Sequence, residues 1–158
     1  MRGTRVWRRG RRTWWGVAVL AALAVSACSG KDSTGPDPEL APFVGDWNAV
    51  SLILTSQDNS EISGDIVAMG ATFTLHVQES GQYTAILLFQ GQSQTEIGNI
   101  EVSGSTITLH RTYPSVSTDA GVYSFQGDHL IIDGTTDFDF NQDGTPEPAL
   151  SHFDLVKQ

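Results

Sequence analysis

From residue 43 onward, apolar and polar side chains alternate with a period of two. In the run from Ala71 to Gln78, Phe73, Leu75 and Val77 fall on one side, and Thr72, Thr74, His76 and Gln78 on the other. The run from Ser105 to His110 repeats the pattern with Ile107 and Leu109. Turn formers separate such runs: Glu79-Ser80-Gly81, Gln90-Gly91-Gln92, Ser103-Gly104 and Gln126-Gly127-Asp128. The pattern predicts strands over 46–56, 70–78, 82–90, 93–102, 105–112, 121–126, 129–138 and 149–157. Short turns join them, apart from three longer loops at 57–69, 113–120 and 139–148. No helical period of comparable length occurs. Short antiparallel strands in chain order most simply form an up-and-down meander, and closing it removes edges that would template aggregation. The expected fold is therefore all-β, an eight-stranded antiparallel up-and-down barrel. Such a barrel is just wide enough for packed side chains or for one small ligand.

The inward phase of these strands contains Val50, Leu52, Leu54, Phe73, Leu75, Val77, Ile107, Leu109, Val122, Leu130, Ile132, Phe153 and Leu155. An interior of this kind is either a filled core or a receptacle for a lipid or other small hydrophobic molecule. The candidate lining of such a cavity is Trp47, Leu52, Phe73, Leu75, Ile107, Leu109 and Phe153. Residues Ala85 to Phe89 are apolar on both faces, which calls for an outer cover as well: the 57–69 loop, a partner or a bilayer.

The chain ahead of this domain has a different composition. Six arginines (Arg2, Arg5, Arg8, Arg9, Arg11 and Arg12) precede an uncharged apolar run from Trp14 to Ala27. A spanning helix needs about 20 apolar residues, so the run is short for a permanent anchor. A basic head, a short apolar run and then small residues make an export signal. The run ends Val25-Ser26-Ala27-Cys28, which resembles the lipobox of bacterial lipoproteins. The resemblance implies that 1–27 is a signal peptide and that the Cys28 thiol is acylated. It places the protein in the bacterial cell envelope, held at a membrane by its N-terminal lipid. Ser29, following the cysteine, resembles the residue that accompanies an outer-membrane destination in Gram-negative lipoproteins. Arg11-Arg12-Thr13-Trp14-Trp15 also looks like a twin-arginine export motif, although an ordinary arginine-rich head gives the same residues. Residues 28–42 (the cysteine followed by SGKDSTGPDPELAP) have the composition of a flexible linker. That leaves 43–158 as one domain, expected to be a monomer.

Charge narrows the partners. Without residues 1–27, three basic groups face eighteen acidic ones, a balance of −15. So acidic a surface repels phosphate backbones, which excludes nucleic acid. One cysteine makes neither an internal disulfide nor a cysteine-rich zinc site. His76, His110, His129 and His152 are dispersed, and H-E-x-x-H, G-x-S-x-G, P-loop and G-x-G-x-x-G motifs are absent from the sequence. No catalytic constellation emerges, so the chain is expected not to be an enzyme.

The domain opens Val44-Gly45-Asp46-Trp47. Gly-x-Trp at the start of a first strand resembles the signature of the lipocalin (calycin-like) barrels. The resemblance implies that Trp47 closes one barrel end, with Gly45 letting backbone pass beneath it and Arg111 as the cation packed against it. It also implies a small hydrophobic ligand.

The most chemical stretch is Asp139-x-Asn141-x-Asp143-Gly144-Thr145-x-Glu147. It matches the opening of a calcium loop, in which oxygens at alternate positions converge on a hard cation. Asp139, Asn141, Asp143, the Thr145 carbonyl and Glu147 are the candidate ligands, with Asp137 in reserve. An EF-hand is excluded, because Leu150 stands where its bidentate Glu belongs, and Pro146 and Pro148 forbid a following helix. A solvated acidic turn is the alternative. Two functional readings follow. One is an envelope lipoprotein whose barrel binds a small hydrophobic ligand, with no cofactor required. The other is a structural or protein-interaction module, stabilised by calcium and without a small-molecule ligand.

Overall fold

A computed structural model describes residues 37–158. Cys28, the signal peptide and the tether up to residue 36 lie outside the described residues. The described residues form nine strands and no helix: β1 (Gly45–Ser56), β2 (Ser63–Asp65), β3 (Thr72–Val77), β4 (Gln82–Phe89), β5 (Gln92–Ser103), β6 (Thr106–Tyr113), β7 (Ser117–Gln126), β8 (His129–Phe138) and β9 (Glu147–Lys157). Neighbours from β3 to β9 pair antiparallel in chain order, β1 pairs with β3, and β1 also pairs with β9. Eight strands thus close into an up-and-down barrel, and β2 is an addition to it.

That extra strand has a clear place. Along one edge β1 changes partner: residues 45–48 pair with β3, and residues 53–55 pair with β2. Asp65 fixes this patch. Its carboxylate accepts from the Ser51 hydroxyl at 2.9 Å and from the backbone N–H groups of Leu52, Val67 and Ala68 at 3.0–3.3 Å. Ile66 then packs against Leu52, Leu54 and Ala71. The predicted 57–69 loop therefore folds against the barrel rim, while Ile86 and Leu88 on the outer face of β4 stay partly exposed between threonines and a serine of β3 and β5.

Two residues of the predicted inward set point outward. Val50 is 50% exposed because it is an extra residue in β1: Ala49 pairs with Leu155, and Ser51 with Asp154. This bulge reverses the phase, so that Trp47 and Ala49 before it and Leu52 and Leu54 after it all turn inward. Val122 is 54% exposed because the inward phase of β7 belongs to Asp119, Gly121 and Tyr123. The loop predicted at 113–120 is much shorter, since β7 already begins at Ser117. The segment 37–42, read as the end of the linker, forms turns that deliver Leu40 to the core.

One barrel end is filled. Phe43, Leu130 and Leu155 are fully buried there, and Trp47 donates its indole N–H to the Phe43 carbonyl at 2.7 Å. Phe43 meets Tyr123 edge-on at 4.8 Å and Phe125 at 5.2 Å. The cation over Trp47 is Lys157, 5.2 Å from the ring, and Arg111 lies elsewhere. Gly45 makes that crossing feasible: at φ +130°, a Cβ there would stand 2.9 Å from the Lys157 stem. Burial of this aromatic and aliphatic plug stabilises the fold, at about 1.5–3 kcal/mol per large side chain.

Candidate functional site

Beyond the plug the barrel is hollow. A cavity of about 280 Å³ lies within it. Of the residues expected to line such a space, Leu52, Phe73, Leu75, Ile107, Leu109 and Phe153 do so, and Trp47 belongs to the plug instead. Leu54, Ile132 and Leu155 add to the apolar wall. At the rim the cavity shares Leu54, Leu87 and Phe138 with a second hollow of about 520 Å³, which runs past Ile66, Phe89 and Phe140. The two hollows thus adjoin at a rim of mixed character, where Gln94 and Asp137 are shared as well.

The wall formed by β4 to β7 is different in kind. Successive sheet rungs align Val77, Tyr83, Gly98, Arg111 and Ser117 in one row, and Leu75, Ala85 and Glu96 in the next. Because Tyr83 and Ala85 face inward, their partners Gly98 and Glu96 do too. Arg111 shares the inward phase of Ile107 and Leu109. Its guanidinium bonds Glu96 at 2.7 Å and lies 4.0 Å from Asp119, whose other contact is the Ser117 hydroxyl at 2.8 Å. Gly98 makes the row compact. A Cβ there would meet the His110 carbonyl, the Tyr83 ring at 2.8 Å and the Arg111 Cα at 2.9 Å.

The electrostatics follow from this packing. Burial pushes the Tyr83 phenol up to about 12, the Glu96 and Asp119 carboxylates add to the rise, and Arg111 opposes it. Tyr83 is therefore neutral and protonated. Burial acts to lower the Arg111 guanidinium, but its bond to Glu96 and the charges of Glu96 and Asp119 outweigh this and hold it above its usual value. The Tyr83 hydroxyl and the Arg111 Nε are both buried with no hydrogen-bond partner. Each such group costs on the order of 1–3 kcal/mol.

None of Tyr83, Glu96, Arg111 or Asp119 stood out as a ligand-facing residue in the sequence. The available signal was phase: Arg111 follows Ile107 and Leu109 at intervals of two. The histidines lie outside this site. Each meets a carboxylate on the outer wall: His76 with Asp46 at 2.7 Å, His110 with Glu101 at 3.3 Å, His129 with Asp154 at 2.6 Å and His152 with Asp133 at 2.6 Å.

The acidic loop borders the mouth, where Asp139, Phe140, Gln142 and Pro146 line the second hollow. Asp139 accepts from the N–H groups of Asp143 at 3.1 Å and Gly144 at 2.8 Å, and Asn141 Oδ1 accepts from the same Asp143 N–H at 2.8 Å. Asp143 accepts from Thr145 N–H at 2.8 Å. Glu147 accepts from Phe140 N–H at 3.0 Å and from the Asn141 side chain at 2.8 Å. Among the described residues, no group of three or more His, Cys, Asp or Glu side chains is arranged to hold a metal ion. Comparison with models of known protein families, with characterised proteins and with solved structures finds no match.

Proposed function

We propose that this protein is a lipid-anchored bacterial envelope protein whose barrel, lipocalin-like, holds a small and largely apolar molecule. The observation that carries the reading is the 280 Å³ hollow between an apolar wall and a polar wall that holds Gln94, Glu96, Arg111 and Asp119. A cavity of ~150 Å³ already accepts benzene, and pockets for larger ligands start at about 300 Å³. The second hollow at the rim supplies an entry path. Titration of the purified full chain with the neutral fluorophore N-phenyl-naphthylamine tests this. Saturable enhancement at about one probe per chain supports a ligand cavity; a response that never saturates refutes it. The anchor rests on the lipobox resemblance at Cys28. Labelling of cells with an alkynyl fatty acid should mark the chain, and Cys28→Ser should abolish the label.

One observation favours a second reading, a calcium-pinned loop between β8 and β9. Asp139 Oδ1 and Asn141 Oδ1 converge on a single N–H, so two oxygens of the loop already lie side by side. Calcium takes six to eight oxygens. Under this reading millimolar calcium raises the melting temperature, chelator reverses the rise, and Asp139→Ala removes it. An unchanged melting curve rejects it.

A further inference from the structure

The cavity lining carries a definite pattern of polarity and charge. Ser151 of β9 is 5% exposed and falls on the inward side between Ala149 and Phe153, where it borders the cavity. Its rung neighbours, Leu54 and Gly134, have no polar side chain, and among the described residues its hydroxyl makes no hydrogen bond. A buried hydroxyl without a partner costs free energy that a polar group on a bound molecule would recover. Charge then decides the kind of group. Glu96, Asp119 and Asp137 line the cavity against the single cation Arg111, three negative charges to one positive. The adjoining hollow adds Asp139 and no cation. One oxygen of Glu96 is taken by Arg111, and one of Asp119 by the Ser117 hydroxyl. The other oxygen of each accepts no hydrogen bond from the described residues. Carboxylate oxygens only accept, and an ammonium only donates. Among the described residues the carboxylates are not gathered as a metal site. Leu52 of β1 and Phe153 of β9 line the same space with hydrocarbon, which suits an organic cation over an inorganic one.

We infer that the cavity takes a hydrophobic molecule bearing a protonated amine, with the ammonium donating to Glu96 and Asp119 and the hydrocarbon body against β1 and β9. The inference rests on the ligand-binding reading above and adds a chemical class to it. Attraction acts before contact as well, since Asp137 and Asp139 at the rim steer a cation toward the opening. A ligand carboxylate would meet the same groups as repulsion, and Arg111 is already matched by Glu96 at 2.7 Å.

Competition against N-phenyl-naphthylamine on the purified full chain tests it, with octylamine, octanol and octanoate as competitors at pH 7. An alkylammonium titrates near the lysine value of about 10.4, so octylamine is charged there. The amine is expected to displace the probe at a concentration about tenfold below that of octanol, the lower bound for a hydrogen bond to a charged group. Octanoate should be the weakest of the three. Asp119→Asn should narrow the margin of amine over octanol. Glu96→Gln combined with Asp119→Asn leaves Asp137 and Arg111 in balance and should erase it. Equal displacement by amine and octanol on the native chain overturns the inference while leaving the ligand cavity standing, as does an unchanged margin in a variant that still binds the probe. Octanoate as the tightest competitor overturns it in favour of an anion site at Arg111. If the probe itself fails to bind the native chain, the ligand-binding reading fails, and this inference with it.

Discussion

Ala85→Leu separates a hollow barrel from a filled one by the sign of its effect. Ala85 faces inward on β4, with Leu75 beside it on β3 and Glu96 on β5, and its methyl borders the cavity. Leucine adds three carbons there. If the space is open, burying them contributes about 0.8 kcal/mol each, and ordering the longer side chain offsets about 0.5–1 kcal/mol of that. The net is a gain on the order of 1.5 kcal/mol. If the interior is filled, the same carbons must displace neighbours, at a cost of about 1–3 kcal/mol. For a domain near this size 1 kcal/mol corresponds to roughly 4 °C in melting temperature. Calorimetry of the variant is therefore expected to show a rise of about 6 °C. N-phenyl-naphthylamine affinity should fall by about tenfold, because leucine takes the volume the probe needs. A fall in melting temperature of several degrees, with probe binding unchanged, would refute the cavity and the function built on it.

Three further outcomes test the surrounding structure. Gly98→Ala puts a methyl against the His110 carbonyl and the Tyr83 ring, so the urea midpoint should drop by an amount equivalent to about 1–3 kcal/mol, with probe affinity falling in parallel. Burial raises the Asp65 carboxyl, but the donors from Leu52, Ser51, Ala68 and Val67 outweigh this and hold it below its ordinary 3.8. Its contribution is thus present above pH 3.8 and is lost as pH falls through the lower folded value. Asp65→Asn should cost about 1 kcal/mol at neutral pH, and the gap to the native chain should close in acid; a gap that is constant with pH contradicts the assignment. His129 is held above 6.5 chiefly by its bond to Asp154, which with the charges of Asp154 and Asp128 outweighs the opposing effect of burial. Its stabilisation is complete below pH 6.5 and disappears as pH rises through the folded value. An NMR titration of the ring should give a midpoint above 6.5, and Asp154→Asn should lower it; a midpoint at or below 6.5 on the native chain removes the pairing from consideration.

The barrel was legible because each of its eight ring strands carries its own signal of alternation or flanking turns. What stayed hidden had local physical causes. Ser117 to Ala120 hold no large apolar residue, so nothing in them marks the start of β7; pairing with β6 creates that strand. Val50 looked inward because a bulge is an extra residue, and alternation counted along the chain does not register it. Ser63 to Asp65 are too short and too polar to announce β2, which depends on the hydrogen bonds Asp65 makes. The cavity wall was the hardest to see. Residues 85–89 are apolar on both faces, so the phase of Tyr83 was masked, and Gln92 to Glu96 have no apolar alternation of their own. Only the pairing of Glu96 with Ala85 turns Glu96 inward.

The polar wall also poses a question of cost, and the answer decides what it is for. Ion pairs taken out of water rarely stabilise, because desolvation offsets their attraction. Here the side chains of Arg111, Glu96 and Asp119 retain 24%, 39% and 46% of their exposure, so the penalty is reduced but still present. Arg111→Met alone would leave Glu96 and Asp119 facing each other without a cation. It should destabilise by about 2 kcal/mol, below the ~3–5 kcal/mol of a fully buried pair because water reaches the carboxylates. Combining it with Glu96→Leu and Asp119→Asn removes the stranded charges. The triple variant should regain native stability or exceed it by about 1 kcal/mol, measured by urea unfolding. That recovery would mean the fold does not need these charges, so their presence on an inward face calls for a ligand. A triple variant as unstable as the single one would mean that the cluster braces β5, β6 and β7, and the case for a ligand-facing wall would lose its premise.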